Sequence, residues 1–298
     1  MRYSQTNDAE QASPGQKSWL VGQGRVLELG NRGHIMAIIN TTPDSFSDGG
    51  RYVDVERAVE HALTCLRDGA AILDIGGEST RPGAAEVSAS QEQDRVLPVI
   101  ERLAKETDAL ISVDTYRAET ARLAMEAGAH IINDVHGLRR EPAIASVAAG
   151  AGAGLCIMHT GRGREGEVVE DVIDDQRAFF DVSLRIADDA GVRQEAIVLD
   201  PGFGFAKNAA QNTELMARFG ELRSFGLSWL VGTSRKRFIG SITGRETAQE
   251  RDIGTAATTA ILRLGGASIF RVHNVAANRD ALAVAEALLE ARAMESRT

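Results

Sequence analysis

Apolar runs in this chain repeatedly end in residues that can do chemistry. Asn40 ends "HIMAIIN", Asp114 closes "ALISVD", Asn133 and Asp134 lie in "HIINDV", and Met158 and His159 end "GLCIMH". Asp200 closes "AIVLD" and leads into "PGFGFAK", Ser234 and Lys236 follow "SWLVGT" in "SRKR", and Arg271, His273 and Asn274 close "SIFRVHN". An eighth run, "AAILDIGG", carries Asp74 and leads into "ESTRPG". Arg81, Lys236, Arg271 and His273 suit an anionic, oxygen-rich group such as a diphosphate. Asp114, Asn133 and Asp200 suit a flat heterocycle, because a carboxylate accepts two adjacent N–H groups in one plane and an amide matches a donor–acceptor edge. No zinc-ligand spacing, nucleophile elbow around Ser45 or P-loop is present. Singly, each residue has an ordinary reading. An Asp at a strand end often caps the next helix, Asp74 reads as a buried hydrogen-bonded carboxylate, His159 as a satisfied loop histidine, and "SRKR" as a solvated basic face.

Eight short apolar, β-branched runs must position these groups, and amphipathic patterns such as "VERAVEHALTCLRDG", "ASQEQDRVLPVIERLAKE", "AETARLAMEAG" and "DQRAFFDVSLRIADDAG" lie between them. Strands alternating with helices pair in parallel, and runs apolar on both faces belong to a covered or closed sheet. Eight such units predict a single α/β (β/α)8 TIM barrel, whose functional groups gather where strands end and loops begin. An open doubly wound sheet is the rival, but it calls for a glycine fingerprint after its first strand, and none is present. Ahead of the barrel, "WLVGQGRVLELG" predicts a short N-terminal β-hairpin, and residues 1–17 read as a disordered tail before a domain over 18–298.

The chain has 298 residues, 43% hydrophobic and 25% charged, enough for a large core. A net charge of −9 without a Lys/Arg-rich run disfavours a nucleic-acid partner. No apolar run is long enough to span a membrane and the polar N-terminus does not read as a secretory signal, so a cytoplasmic setting is expected. Cys65 and Cys156 lie in apolar sequence and read as buried reduced thiols.

"NTTPDSFSDGG", "GGESTRPGA", "SVDT", "IINDV", "LDPGFGF", "SRKRFIG" and "FRVHNV", in this order, resemble the dihydropteroate synthase family, the sulfonamide-target enzymes of folate biosynthesis, from about His34 to Ala291. The resemblance implies a homodimeric TIM barrel that joins 6-hydroxymethyl-7,8-dihydropterin diphosphate to p-aminobenzoate with Mg2+ assistance, releasing diphosphate. It implies pterin contacts from Asp114, Asn133, Met158, Asp200, Phe205, Lys236 and Arg271, with Arg271 on the pterin face. Asn40, Arg271 and His273 would meet the diphosphate, with Asn40 the ligand of the metal. Phe46, Thr80, Arg81, Pro82 and Ser234 would form the p-aminobenzoate pocket. Lys236 and Asp114 would serve the chemistry, and Asp48 would orient the amine. The stretch Thr41–Gly50 is then expected to be a mobile cover. A homodimer would form through late helices such as the one starting near Asp252.

Four positions depart from the usual family strings: Ala37 and Ala206 replace Gly, Thr41 replaces Val, and Asn274 replaces Asp. Two other readings stay open at this point: a pterin-dependent methyltransferase, which shares the barrel, and a synthase-like paralogue that binds without turnover.

Overall fold

The computed structural model describes residues 17–30, 32–42, 50–78, 86–161 and 169–295. The expected tail falls outside these residues except at Lys17, which already belongs to the hairpin: its carbonyl accepts the Leu29 N–H at 2.7 Å.

Strands β1 (Ser18–Leu20) and β2 (Val26–Glu28) pair antiparallel, Trp19 opposite Leu27. The runs read from the sequence then form β3 (His34–Asn40), β4 (Ile72–Gly76), β5 (Leu110–Asp114), β6 (Ile131–Asp134), β7 (Gly154–Met158), β8 (Ile197–Asp200), β9 (Ser228–Val231) and β10 (Ile269–Val272). Each pairs in parallel with its neighbour, and β10 returns to β3 with Arg271 opposite Met36, closing the barrel.

Around it run α1 (Gly50–Arg67), α2 (Ala89–Glu106), α3 (Ala118–Glu126), α4 (Ala143–Ala151), α5 (Val172–Asp189), α6 (Ala209–Ala217), α7 (Arg237–Thr243), α8 (Asp252–Gly265) and α9 (Val275–Glu295). Local chemistry fixes several starts. Ser88 with Gln91, and Asn208 with Gln211, form reciprocal capping boxes, and the Asp171 carboxylate accepts two N–H groups at the head of α5. That cap starts α5 earlier than the apolar spacing alone suggests.

Side chains alternate along a strand, so every second residue faces the barrel interior. Met36, Ile72, Leu110, Ile131, Cys156, Val198, Leu230 and Ile269, one from each barrel strand, form the lowest inner layer. The hairpin stoppers this end: Trp19, Val21 and Leu29 join the same cluster, and Trp19 Nε1 donates to Ala196 O at 2.8 Å. Gly154 permits the seal, since a Cβ there would lie 2.8 Å from Val21 Cγ1 and 3.1 Å from the Trp19 ring. Counting up from this layer in steps of two reaches Asp74, Ser112, Asn133, Met158, Asp200 and Arg271, then Asn40 and Asp114. The opposite parity, including Ile35, Ile39, Leu73, Ile111 and Leu199, packs against the helices. No helix among the described residues is long and apolar enough to cross a membrane.

Candidate active site at the barrel mouth

Arg271 spans the mouth between two carboxylates. Its Nε donates to Asp74 Oδ2 at 2.6 Å and its Nη2 to Asp114 Oδ2 at 2.6 Å. Asn133 Nδ2 donates to the same Asp74 oxygen at 3.2 Å, while Asp74 Oδ1 has no hydrogen-bond partner among the described residues. Burial opposes the charge on Arg271, but Asp74 and Asp114 outweigh it and hold the guanidinium protonated. Burial raises the Asp114 carboxyl to about 7 against the pull of Arg271. Such a carboxyl can hold or release a proton near neutrality.

Asp200 and Lys236 face each other beside this pair. Burial raises the Asp200 carboxyl above its ordinary range, with Lys236 opposing, while its Oδ1 accepts the Gly202 N–H at 2.7 Å. Burial lowers the Lys236 amine to about 8, with Asp200 pulling the other way. The Lys236 ammonium donates to Phe203 O and lies 4.4 Å above the Phe205 ring. The loop after β8 makes room for it: Gly204 has φ +76°, and a Cβ there would sit 2.7 Å from Lys236 Cδ. A Cβ on Gly232 would lie within 3.9 Å of Arg271 Cβ, Asp200 Oδ2 and Lys236 Nζ, so these three groups surround one backbone opening.

Beside this charged patch, Met158 packs with Tyr116 and Val135, and Phe205 lies against them. The mouth therefore offers one apolar wall, several carboxyl and amide acceptors and two cations, which suits a flat heterocycle bearing N–H donors. Ser234 Oγ lies 2.8 Å from His273 Nδ1 and accepts the His273 N–H at 3.1 Å, joining the ends of β9 and β10. Asn40 stands exposed at the end of β3, paired with Gly76.

The structure thus brings together Asn133, Asp114, Met158, Asp200, Phe205, Lys236 and Arg271, with Asn40, Ser234 and His273 at the same rim. Phe46, Asp48, Thr80, Arg81 and Pro82 lie outside the described residues. Of the expected cover from Thr41 to Gly50, residues 43–49 lie outside the described residues, and its two ends are fixed. Thr41 is buried and donates to Gly76 O through both its N–H and its hydroxyl, and Gly50 already belongs to α1. Asp134 has the ordinary role: its carboxylate accepts the His136 and Leu138 N–H groups in a turn.

Two contributors were not assigned from sequence. Asp74 shares the inward parity of Asn133 and Arg271, which was a readable signal, but its partner stands 197 residues away. Lys207 fastens the β8 loop from beneath, its ammonium at 2.9 Å from His159 Nδ1 and 3.1 Å from Gly202 O, while His159 Nε2 meets Asp175 at 2.9 Å.

The departures from the family strings are accommodated locally. Ala206 adopts φ +51°, the left-handed conformation that glycine takes without strain. Ala37 is fully buried in β3. Asn274 Oδ1 accepts the Ala277 N–H at the start of α9, and its Nδ2 donates to Asp252.

Comparison with known proteins gives a consistent answer. The family described as pterin binding enzyme matches residues 36–273. The dihydropteroate synthase of a Synechocystis strain is 45% identical over 273 residues, covering 90% of this chain and 94% of that protein. A Xanthomonas albilineans dihydropteroate synthase solved with 4-aminobenzoic acid superposes with a TM-score of 0.86 at 42% identity, covering 92% of this chain and 98% of that one. A structure of dihydropteroate synthase from that organism with 7,8-dihydropteroate gives 0.81 at 41% identity, with coverage of 89% and 97%.

Proposed function

This chain belongs to the pterin-binding enzyme family, in its dihydropteroate synthase group, and from that membership we propose how its barrel mouth carries out the reaction. The substrates are 6-hydroxymethyl-7,8-dihydropterin diphosphate and p-aminobenzoate, and the products are 7,8-dihydropteroate and diphosphate. The convergence of Asp114, Asn133, Asp200, Lys236 and Arg271 on one opening carries this reading.

Asp200 accepts the two N–H groups of the aminopyrimidine edge, and Asn133 and Asp114 take the remaining ring edge. Lys236 donates to the ring oxygen and N5, over Phe205. Met158 and Phe205 cover the apolar surface, and the planar Arg271 cation packs on the pterin face near the diphosphate. Asn40 and His273 contact the diphosphate. In the reaction, the bond from the pterin methylene to diphosphate oxygen breaks and that oxygen keeps the electron pair. The aniline nitrogen forms the new bond to the methylene and loses one proton. The electron-rich dihydropterin supports positive charge on that carbon, which favours departure before attack. Phe46, Thr80, Arg81, Pro82 and Ser234 hold p-aminobenzoate, and Asp48 orients its amine. Exclusion of water by the surrounding loops protects the carbocation.

The donor set suits Mg2+ brought by the substrate. Among the described residues no three His, Cys, Asp or Glu side chains could hold a metal ion, and Asn40 offers one hard oxygen at the rim. Mg2+ keeps several waters and binds through few protein oxygens plus phosphate oxygens. When bound there, it would offset charge on the departing diphosphate.

We also propose a homodimer and a cytoplasmic setting. Ile242, Ile253 and Ile261 are exposed on α7 and α8, beside an apolar hollow of about 200 Å³ lined by Met216 and Ile239, which fits a second copy. Sedimentation should give twice the chain mass. Purified protein mixed with dihydropterin diphosphate, p-aminobenzoate and Mg2+ should form dihydropteroate. Tight pterin binding without product would favour the non-catalytic paralogue, and failure of both would defeat the reading.

A further inference from the structure

The inner face of helix α8 is polar through its first half. Asp252, Thr255, Thr258 and Thr259 form a polar stripe facing the barrel, while Ile253 and Ile261 stand outward. The stripe grips the loop that joins β9 to α7. Asp252 takes the Arg235 guanidinium in two bonds, from Nε at 2.6 Å and from Nη2 at 2.9 Å. The Thr255 hydroxyl accepts the Arg235 N–H at 3.1 Å, and Arg251 Nη1, from the turn just before α8, donates to Arg235 O at 3.1 Å. Thr258 pairs with Thr233 at 2.7 Å. The backbone and side chain of Arg235 are thus held from this one helix start.

Arg235 is also where the backbone is strained. Its φ is +59°, a region that L residues rarely adopt and that persists only when surrounding contacts enforce it. Its neighbours are Ser234, bonded to His273, and Lys236, beside Asp200. The left-handed residue turns the chain between them, so that one loop sends a hydroxyl toward His273 and an ammonium toward the pterin acceptors. The same Asp252 carboxylate accepts Asn274 Nδ2 at 3.1 Å, next to His273 and at the head of α9. The amide at this position can donate where a second carboxylate could not.

We propose that Asp252 is a positioning residue for the reaction: by holding Arg235 left-handed and Asn274 in place, it sets Ser234, Lys236 and His273 as one unit at the mouth. This rests on the reading of those three residues as substrate contacts. Asp252 itself touches no substrate. It acts by fixing the loops after β9 and β10 relative to each other, from outside both loops and in addition to the direct Ser234–His273 bonds.

Steady-state kinetics of Asp252→Asn, Arg235→Ala and Arg235→Gly, assayed well below their melting temperatures, test the proposal. Asp252→Asn keeps the shape but loses the charge, and should lower kcat/KM for dihydropterin diphosphate at least tenfold. Arg235→Gly and Arg235→Ala lose the same ion pair, yet the glycine variant should be the more active because glycine adopts the left-handed conformation freely. A role in stability alone would lower the melting temperatures and leave kcat and KM unchanged. Wild-type kinetics in Asp252→Asn overturns the proposal. If the parent protein forms no dihydropteroate, the functional reading falls separately, and acetylation of the Lys236 amine, followed by mass spectrometry, decides the clamp. Faster labelling in Asp252→Asn than in the parent supports it, and equal rates overturn it.

Discussion

Arg271 is held 2.6 Å from Asp74 and 2.6 Å from Asp114, so one cation is shared by two carboxyl groups from different strands at the barrel mouth. Removing Asp74 strips Arg271 Nε and Asn133 Nδ2 of their shared buried acceptor, and breaking a buried pair typically costs about 3–5 kcal/mol. Asp74→Ala is therefore expected to lose about 3 kcal/mol in urea unfolding. It should also raise the KM for dihydropterin diphosphate at least tenfold, because Arg271 and Asn133 both lose the anchor that orients them. A variant with unchanged unfolding midpoint and KM would remove Asp74 from the site.

Asp200 and Lys236 supply the pterin acceptors and donor on the reading above. Asp200→Ala and Lys236→Ala should each abolish measurable binding of dihydropterin diphosphate in isothermal titration, along with turnover. Normal turnover in either would contradict the assignment.

Lys236 also sets a pH dependence. Burial lowers its amine to about 8, so the donating ammonium is lost as pH rises through that value. The kcat/KM for dihydropterin diphosphate, which reports the free enzyme, should fall on the alkaline side near pH 8. Stability moves the other way. Between about 8 and the ordinary lysine value near 10.4, the unfolded chain holds the extra proton, so the Lys236 contribution grows more favourable with rising pH. A flat rate profile from pH 7 to 9.5 would show that Lys236 is not the donor.

Asn274→Asp would place a second carboxylate against Asp252, which now accepts the amide at 3.1 Å. The cap of α9 survives, since Asp caps as well as Asn. Repulsion should nevertheless cost about 1 kcal/mol at pH 7. The new carboxyl has a raised pKa in the folded state, so this loss should disappear as pH falls and the group is protonated. Unfolding midpoints of parent and variant that differ equally at pH 7 and 4.5 would refute the charge argument.

Trp19→Ala should destabilise by about 3–5 kcal/mol, because it empties the stopper beneath the lowest inner layer and removes the donor to Ala196 O. Guanidinium unfolding measures this, and a loss below about 1 kcal/mol would show the hairpin to be dispensable.

Much of this was readable before any coordinates. The eight apolar runs became the eight barrel strands because β-branched residues fit a sheet covered on both faces. The period of two then fixed which residues face inward, and so gathered Asn133, Asp200 and Arg271. Asp74 escaped because its meaning depends on Arg271, brought near only when the barrel closes. Asp252 escaped for a different reason: a polar stripe on a helix is normally read as the wet side, and in α8 it is the dry one. The left-handed Arg235 carries no sequence mark, because glycine is the residue that advertises such a backbone.

The stoppered floor has a consequence for the order in which the molecule comes together. Trp19 is made early, but its partner Ala196 lies 177 residues later, and the inner layer it seals is complete only once β10 has met β3. During synthesis the hairpin must therefore wait, its indole uncovered, until β10 has emerged. The hairpin precedes every barrel strand in the chain yet is among the last elements to find its place, and the base of the barrel is finished after its walls.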